Sequence, residues 1–375
     1  MSKLPNTGTS IFTTMSKMAN EHQAINLSQG FPNFPVDPIL TDIVARVAKG
    51  SHHQYMPSGG YPPLLESIQE LIDKSYRREL DPLLEILVTA GATQGIFTSI
   101  QAVVNAGDEV VILDPAYDCY DAPVVLSGAK PIHIPLNEDF SPNWNAIGST
   151  LNQKTRMIIL NNPHNPSGKT WTESDFNQLE SLLENYPNVI VLSDEVYEFI
   201  TFEAAHISVN TRKKLHDRSI IVSSFGKSFH ITGWKIGYLV APEHLMAVIK
   251  KVHQFLVFSV NSIAQASIAE YLTMVDISGL GKFYKEKRDH FRNLISQSRF
   301  NLLPCEGSYF QVVSYAGISD QSDLDFTKKM VTEHGVAAIP LSVFYENKKD
   351  AKLIRFCFAK DNPTLEAAAA RLNKI

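Results

Sequence analysis

Lys227 stands just past an apolar run, Ile220-Ile221-Val222-Ser223-Ser224-Phe225-Gly226, which reads as a buried strand ending in a turn. A lysine at the carboxyl end of such a strand is partly desolvated, and desolvation favours the neutral amine, the form that attacks carbonyls. Lys227 is therefore the residue expected to condense with an aldehyde cofactor. Ser224 and Lys235, the latter in Thr232-Gly233-Trp234-Lys235-Ile236-Gly237-Tyr238, supply the hydroxyl and the charge that a phosphate on that cofactor needs. Lys235 also reads as a plain surface charge. A nucleotide P-loop is excluded, because Gly226-Lys227-Ser228 matches only the tail of the motif and Ile221 occupies the place of its first glycine.

Other chemistry-bearing residues follow apolar runs in the same way. Asp194 ends Val189-Ile190-Val191-Leu192-Ser193, and a carboxylate there needs a cation, such as a protonated pyridine nitrogen, to stay ionised. Adjacent Glu195 should point the other way, so a metal-binding acidic pair is the weaker reading and no metal site is expected. Tyr197 follows at a distance that returns its hydroxyl toward the ring. Gly91-Ala92-Thr93 lies between a strand and a helix, where free N–H groups favour a phosphate, although a glycine turn before a helix is more often only a turn. Asn165, bracketed by prolines, offers an amide to a ring oxygen or a carboxylate, and Tyr117 offers a face to a flat ring. Turn formation and core packing are their structural alternatives. Arg355 lies inside an apolar strand, Leu353-Ile354-Arg355-Phe356-Cys357, and asks for a carboxylate from the chain or from a ligand.

The elements that must hold these residues alternate. Short apolar runs at 86–89, 110–113, 130–134, 157–160, 189–193, 219–223 and 238–240 read as strands. Amphipathic stretches such as 93–105 and the capped start Thr172-Glu173-Ser174-Asp175 read as helices. This pattern predicts an α/β fold with a large, doubly wound, mostly parallel sheet, in which ligands bind outside the carboxyl ends of strands. After about residue 265 longer charged helices and short strands take over. The expected division is a large domain at 45–265 and a smaller α+β domain from 1–44 and 266–375.

With 375 residues, 44% of them hydrophobic, the chain can bury such a core. A net charge near −5 and short, acid-interleaved basic clusters exclude a nucleic-acid surface. No stretch is long and apolar enough to span a bilayer, the start has no apolar leader, and Cys119, Cys305 and Cys357 show no paired spacing. A cytoplasmic setting is expected.

These segments resemble the fold-type I, class I pyridoxal-phosphate-dependent aminotransferases over nearly the whole chain. The resemblance is carried by Asn161-Asn162-Pro163-His164-Asn165-Pro166-Ser167-Gly168, Ser193-Asp194-Glu195-Val196-Tyr197 and Ser223-Ser224-Phe225-Gly226-Lys227 with Gly233-Trp234-Lys235-Ile236-Gly237-Tyr238. Asn26-Leu27-Ser28-Gln29-Gly30-Phe31-Pro32, Val252-His253-Gln254, Pro304-Cys305-Glu306-Gly307 and Gly335-Val336-Ala337-Ala338-Ile339-Pro340 are most similar to bacterial methionine aminotransferases, relatives of the kynurenine and glutamine transaminases. The resemblance implies pyridoxal 5'-phosphate on Lys227, with Asp194 at its ring nitrogen, Tyr197 and Asn165 at its ring oxygen, and Tyr117 stacked. It implies Gly91, Ala92, Thr93, Ser224 and Lys235 at the phosphate, joined by Tyr55 from a partner subunit of a homodimer. Arg355, Asn165 and Gly30 would hold the substrate carboxylate, and Phe12 and Phe258 would form an apolar wall suited to methionine or aromatic side chains. Kynurenine-type relatives carry an imidazole after the phenylalanine matching Phe258. Ser259 stands there in this chain and argues against kynurenine.

Two rival functions share this scaffold, a carbon–sulfur β-lyase and a ligand-sensing module. The sensor would need a helix-turn-helix for which the start of the chain leaves no room. A nucleotide-dependent oxidoreductase is disfavoured, because no Gly-x-Gly-x-x-Gly follows a strand.

Overall fold

A computed structural model describes residues 2–5 and 8–375. Its centre is a seven-stranded sheet of β1 (Ile86–Thr89), β2 (Glu109–Asp114), β3 (Lys130–Pro135), β4 (Thr155–Asn161), β5 (Ile190–Asp194), β6 (Ser219–Ser223) and β7 (Gly237–Val240). The spatial order is β1-β7-β6-β5-β4-β2-β3. Only β7 runs against its neighbours; the β2–β3, β2–β4, β4–β5 and β5–β6 pairs are parallel.

Strands buried on both faces read as continuous apolar runs, and here successive residues feed two separate cores. Val111, Ile158, Val191 and Ile221 face the helices Pro62–Tyr76, Glu173–Leu183 and Ser262–Leu272. Val110, Met157, Leu192 and Val222 face Ala92–Val103 and Glu243–Leu256. Glu173–Leu183 begins with a reciprocal capping box between Thr172 and Asp175, which satisfies two otherwise free N–H groups.

A second sheet is antiparallel, in the order Ile339–Pro340, Leu353–Cys357, Phe310–Ser314, Asn301–Leu302. Helices Leu280–Leu294, Asp323–His334 and Asn362–Leu372 accompany it. The amino-terminal helix Ile11–Glu21 packs here too, with Met15 and Ala19 against Val312, Val331 and Ile339. By contrast Pro38–Val47 buries Leu40, Ile43 and Val47 in the core of the large sheet.

Candidate active site

The carboxyl ends of the parallel strands and the turn after β1 open into one cavity of about 410 Å³ between the two sheets. Gly91 begins its phosphate side. Its φ of +79° is left-handed, and a Cβ there would lie 3.3 Å from Lys235 Nζ, so glycine is required by conformation and by space. Gly91 is the N-cap of Ala92–Val103, whose first N–H groups have no partner within the helix. Gly237 lets β7 approach that helix start, since a Cβ on it would meet Ala92 N at 3.4 Å and Ser223 O at 2.5 Å. Ala92, Thr93, Ser224 and Lys235 therefore line one end of the cavity together, and free amides, a hydroxyl and an ammonium suit a dianion.

Lys227 sits in the short helix Phe225–Ser228 at the end of β6. Burial is the largest influence on its amine and pushes it down to about 8, the nearby Lys235 and Arg355 charges acting in the same direction. Asp194 ends β5 at the cavity floor. Tyr120 donates to its Oδ2 at 2.7 Å and the Val196 N–H approaches Oδ1 at 3.3 Å. Burial pushes this carboxyl up to about 6, against the pull of those donors. Among the described residues no cation pairs with it. Glu195 turns to the opposite side, as the strand alternation predicts, where it accepts from Ser193, Val209 N and His206. Tyr197 lies on the cavity wall beside Asp194, and burial holds its hydroxyl above the ordinary tyrosine range.

Arg355 enters from the second sheet, 1% exposed. Its Nη1 donates to Asn165 Oδ1 at 2.6 Å and its Nη2 to Ser28 O at 3.1 Å, while Nε has no partner. Phe310 lies against the guanidinium at 3.8 Å, with Phe344 at 5.2 Å and Phe12 at 5.5 Å. Among the described residues no carboxylate lies within ion-pair distance of it, so the internal ion pair is not formed. Asn165 is fixed from behind by its own N–H, which donates to Asn161 Oδ1 at 2.7 Å. Tyr117, Gly30 and Phe12 complete the walls.

Thirteen of the expected residues thus share one cavity, and two do not. Tyr55 and Phe258 lie outside it on the surface, 81% and 51% exposed, with their rings edge to face at 5.1 Å. The sequence reading missed Tyr120, Asn161, Phe310 and His164. The last donates through Nε2 to Pro115 O at 2.9 Å and accepts Ser167 Oγ at 2.6 Å, tying the Asn165 loop to the Tyr117 loop. Burial lowers its ring to about 4, so it stays neutral.

The family model for aminotransferase class I and II matches residues 22–372. The chain belongs to this family. It is similar to methionine aminotransferase of Escherichia coli (strain K12), at 45% identity over all of this chain and 98% of the relative. It is 32% identical to human kynurenine–oxoglutarate transaminase 1, covering 96% of this chain and 94% of that one. A solved E. coli structure identified with a methionine aminotransferase function superposes at a TM-score of 0.98, with 44% identity and coverage of 100% and 99% of the two chains. N-succinyldiaminopimelate aminotransferase from Mycobacterium tuberculosis superposes at 0.95, with 30% identity and the same coverage.

Class I aminotransferases of this fold type use pyridoxal 5'-phosphate, and the aminotransferase cavity fits it by its own chemistry. A buried carboxylate short of a cation, Asp194, faces the space where a protonated ring nitrogen would supply one. The Gly91 and Gly237 approaches keep clear the anion end that a phosphate would fill.

Proposed function

We propose that this aminotransferase moves the amino group of an apolar or sulfur-containing amino acid, methionine first and aromatic amino acids next, to a 2-oxo acid in a ping-pong cycle. The observation that carries the reading is the unneutralised Arg355 guanidinium sharing a cavity with the Lys227 amine and the apolar faces of Phe12 and Tyr117. The E. coli relative at 45% identity supports methionine as the preferred donor.

When bound, pyridoxal phosphate supplies the aldehyde that takes up the amino group and the ring that accepts the electrons of the broken Cα–H bond. The residues of the chain bind, orient and move protons. Lys227 Nζ would anchor the cofactor, and the same nitrogen, with its pKa pushed down to about 8, would take the α proton from the donor and deliver it to the cofactor carbon that takes up the nitrogen. Asp194 keeps the ring nitrogen protonated, and Tyr120 holds that carboxylate in place. Because Arg355 occupies Asn165 Oδ1, the amide Nδ2 is left to donate to the ring oxygen beside the Tyr197 hydroxyl. Tyr117 packs on the ring face, and Gly91, Ala92, Thr93, Ser224 and Lys235 hold the phosphate. Arg355, Asn165 and Gly30 take the substrate carboxylate, and Phe12 packs on its side chain.

We further read the chain as a large domain near 45–265 and a small one from both chain ends, with Pro38–Val47 straddling the division. Tyr55 and Phe258 would complete the site of a second subunit in a homodimer, the former at its phosphate and the latter at its substrate wall. Among the described residues no helix is long and apolar enough to cross a membrane, and Cys119, Cys305 and Cys357 are all free, in keeping with the cytoplasm.

The test is an amino-donor panel on the holoenzyme with several 2-oxo acids. Methionine and aromatic donors should give the highest kcat/KM. Release of pyruvate and ammonia from cystathionine without transfer would instead make the protein a carbon–sulfur lyase.

A further inference from the structure

Lys227 Nζ meets the Gly30 carbonyl oxygen at 3.4 Å, and that oxygen also accepts a hydrogen bond from Tyr309 Oη at 2.6 Å. A carbonyl oxygen has two lone pairs, so both are used. The two bonds differ in kind. The tyrosine bond is short and part-buried, and it fixes the direction of the peptide; the lysine bond is long and weak enough to be made and broken. Tyr309 itself has little freedom. It is fully buried, its carbonyl accepts the Phe358 N–H at 3.0 Å, and the preceding Ser308 N–H donates to Ile200 O at 2.8 Å. Just before it, the Glu306 carboxylate holds Lys169 at 3.0 Å and the Thr170 amide at 2.9 Å. The rings of Tyr197 and Tyr309 both stand 5.6 Å from Lys227 Nζ and bound the space in which it moves. Gly30 lies close against Phe310, where a Cβ would come within 2.9 Å of Phe310 Cζ.

We propose that Tyr309 is a positioning residue for Lys227. Its hydroxyl holds the Gly30 carbonyl as the resting place of the lysine amine whenever that nitrogen is not bonded to the cofactor. The amine then waits in one orientation, next to Gly30 and the carboxylate end of the substrate site, rather than sampling the cavity. The proposal rests on Lys227 being the cofactor lysine.

Tyr309→Phe keeps the ring and removes the hydroxyl, which serves Gly30 and also neighbours the Tyr197 hydroxyl, so the acetylation of Lys227 in cofactor-free protein is the readout specific to the lysine. In cofactor-free protein, trace acetylation of Lys227, measured by mass spectrometry against the other lysines, should become about threefold faster as the amine loses its fixed acceptor. In the holoenzyme kcat should fall about tenfold with donor KM changed less than twofold, and the isotope effect on kcat with α-deuterated donor should rise. A loss of folded protein alone would leave that isotope effect unchanged. Should the phenylalanine variant not fold, 3-fluorotyrosine at position 309, with the same ring and a stronger donor, should slow acetylation below the natural rate. Natural acetylation rates and isotope effect in either replacement overturn the proposal. If borohydride fails to fix pyridoxal phosphate to Lys227 in the natural protein, the underlying reading falls and the proposal with it.

Discussion

Arg355 is 1% exposed, and burial is the main influence lowering its pKa, yet two hydrogen bonds and three aromatic faces around it leave Nε free and no acid at hand among the described residues. A buried guanidinium in that condition binds a carboxylate ligand strongly. Arg355→Leu should raise the donor KM by about 100-fold, equivalent to about 3 kcal/mol, with a smaller change in kcat. Steady-state kinetics across methionine concentrations checks it, and an unchanged KM would remove Arg355 from the substrate site. At this scale the sequence is legible where a residue's type conflicts with its surroundings. Lys227, Asp194 and Arg355 are ionisable groups in or beside apolar strands, and such a conflict needs a reason. Tyr120 and Phe310 raise no conflict, since aromatic residues belong in cores. Their roles come from partners 74 and 45 residues away, on other strands and loops, and that pairing is set by the fold rather than by local pattern.

The inner strands of the large sheet were readable because both of its faces are covered there, so each gives an apolar run. Ile86–Thr89, Ser219–Ser223 and Leu353–Cys357 fall where the runs place them. The reversed direction of β7 was not readable, since apolar runs carry no sign of strand polarity. Polar ties between elements were equally hidden. His133 on β3 lies 2.8 Å from Asp114 at the end of β2 and 2.9 Å from Asp121, which opens the helix Asp121–Leu126. Burial is the largest single influence and lowers the ring's pKa, but the two carboxylates together outweigh it and raise it to about 10. A folded-state pKa raised above the free value of 6.5 means stability that is full below pH 6.5 and is lost as pH climbs toward 10. The Tm difference between the natural protein and His133→Asn should therefore be largest below pH 6.5 and shrink by pH 10. A difference constant with pH would contradict the ion triad.

Over the whole molecule, an apolar patch remains uncovered. Tyr55, Phe255 and Phe258 are 81%, 86% and 51% exposed, and Leu256 is exposed beside them. Exposed aromatic side chains of this kind are a feature of interaction surfaces, and a second copy of the chain is the proposed occupant that would also bring Tyr55 and Phe258 to a site. Phe258→Glu places a charge in that patch. It should shift the sedimenting species from dimer to monomer and lower kcat/KM, whereas a natural dimer with natural kinetics would exclude the patch from the interface. The central claim concerns one nitrogen. Incubating the natural protein with pyridoxal 5'-phosphate, reducing with borohydride and mapping the peptides should place the reduced cofactor on Lys227, and Lys227→Ala should carry none there and lose about 10⁴-fold in kcat. Label on another lysine, or wild-type turnover in Lys227→Ala, would contradict the account.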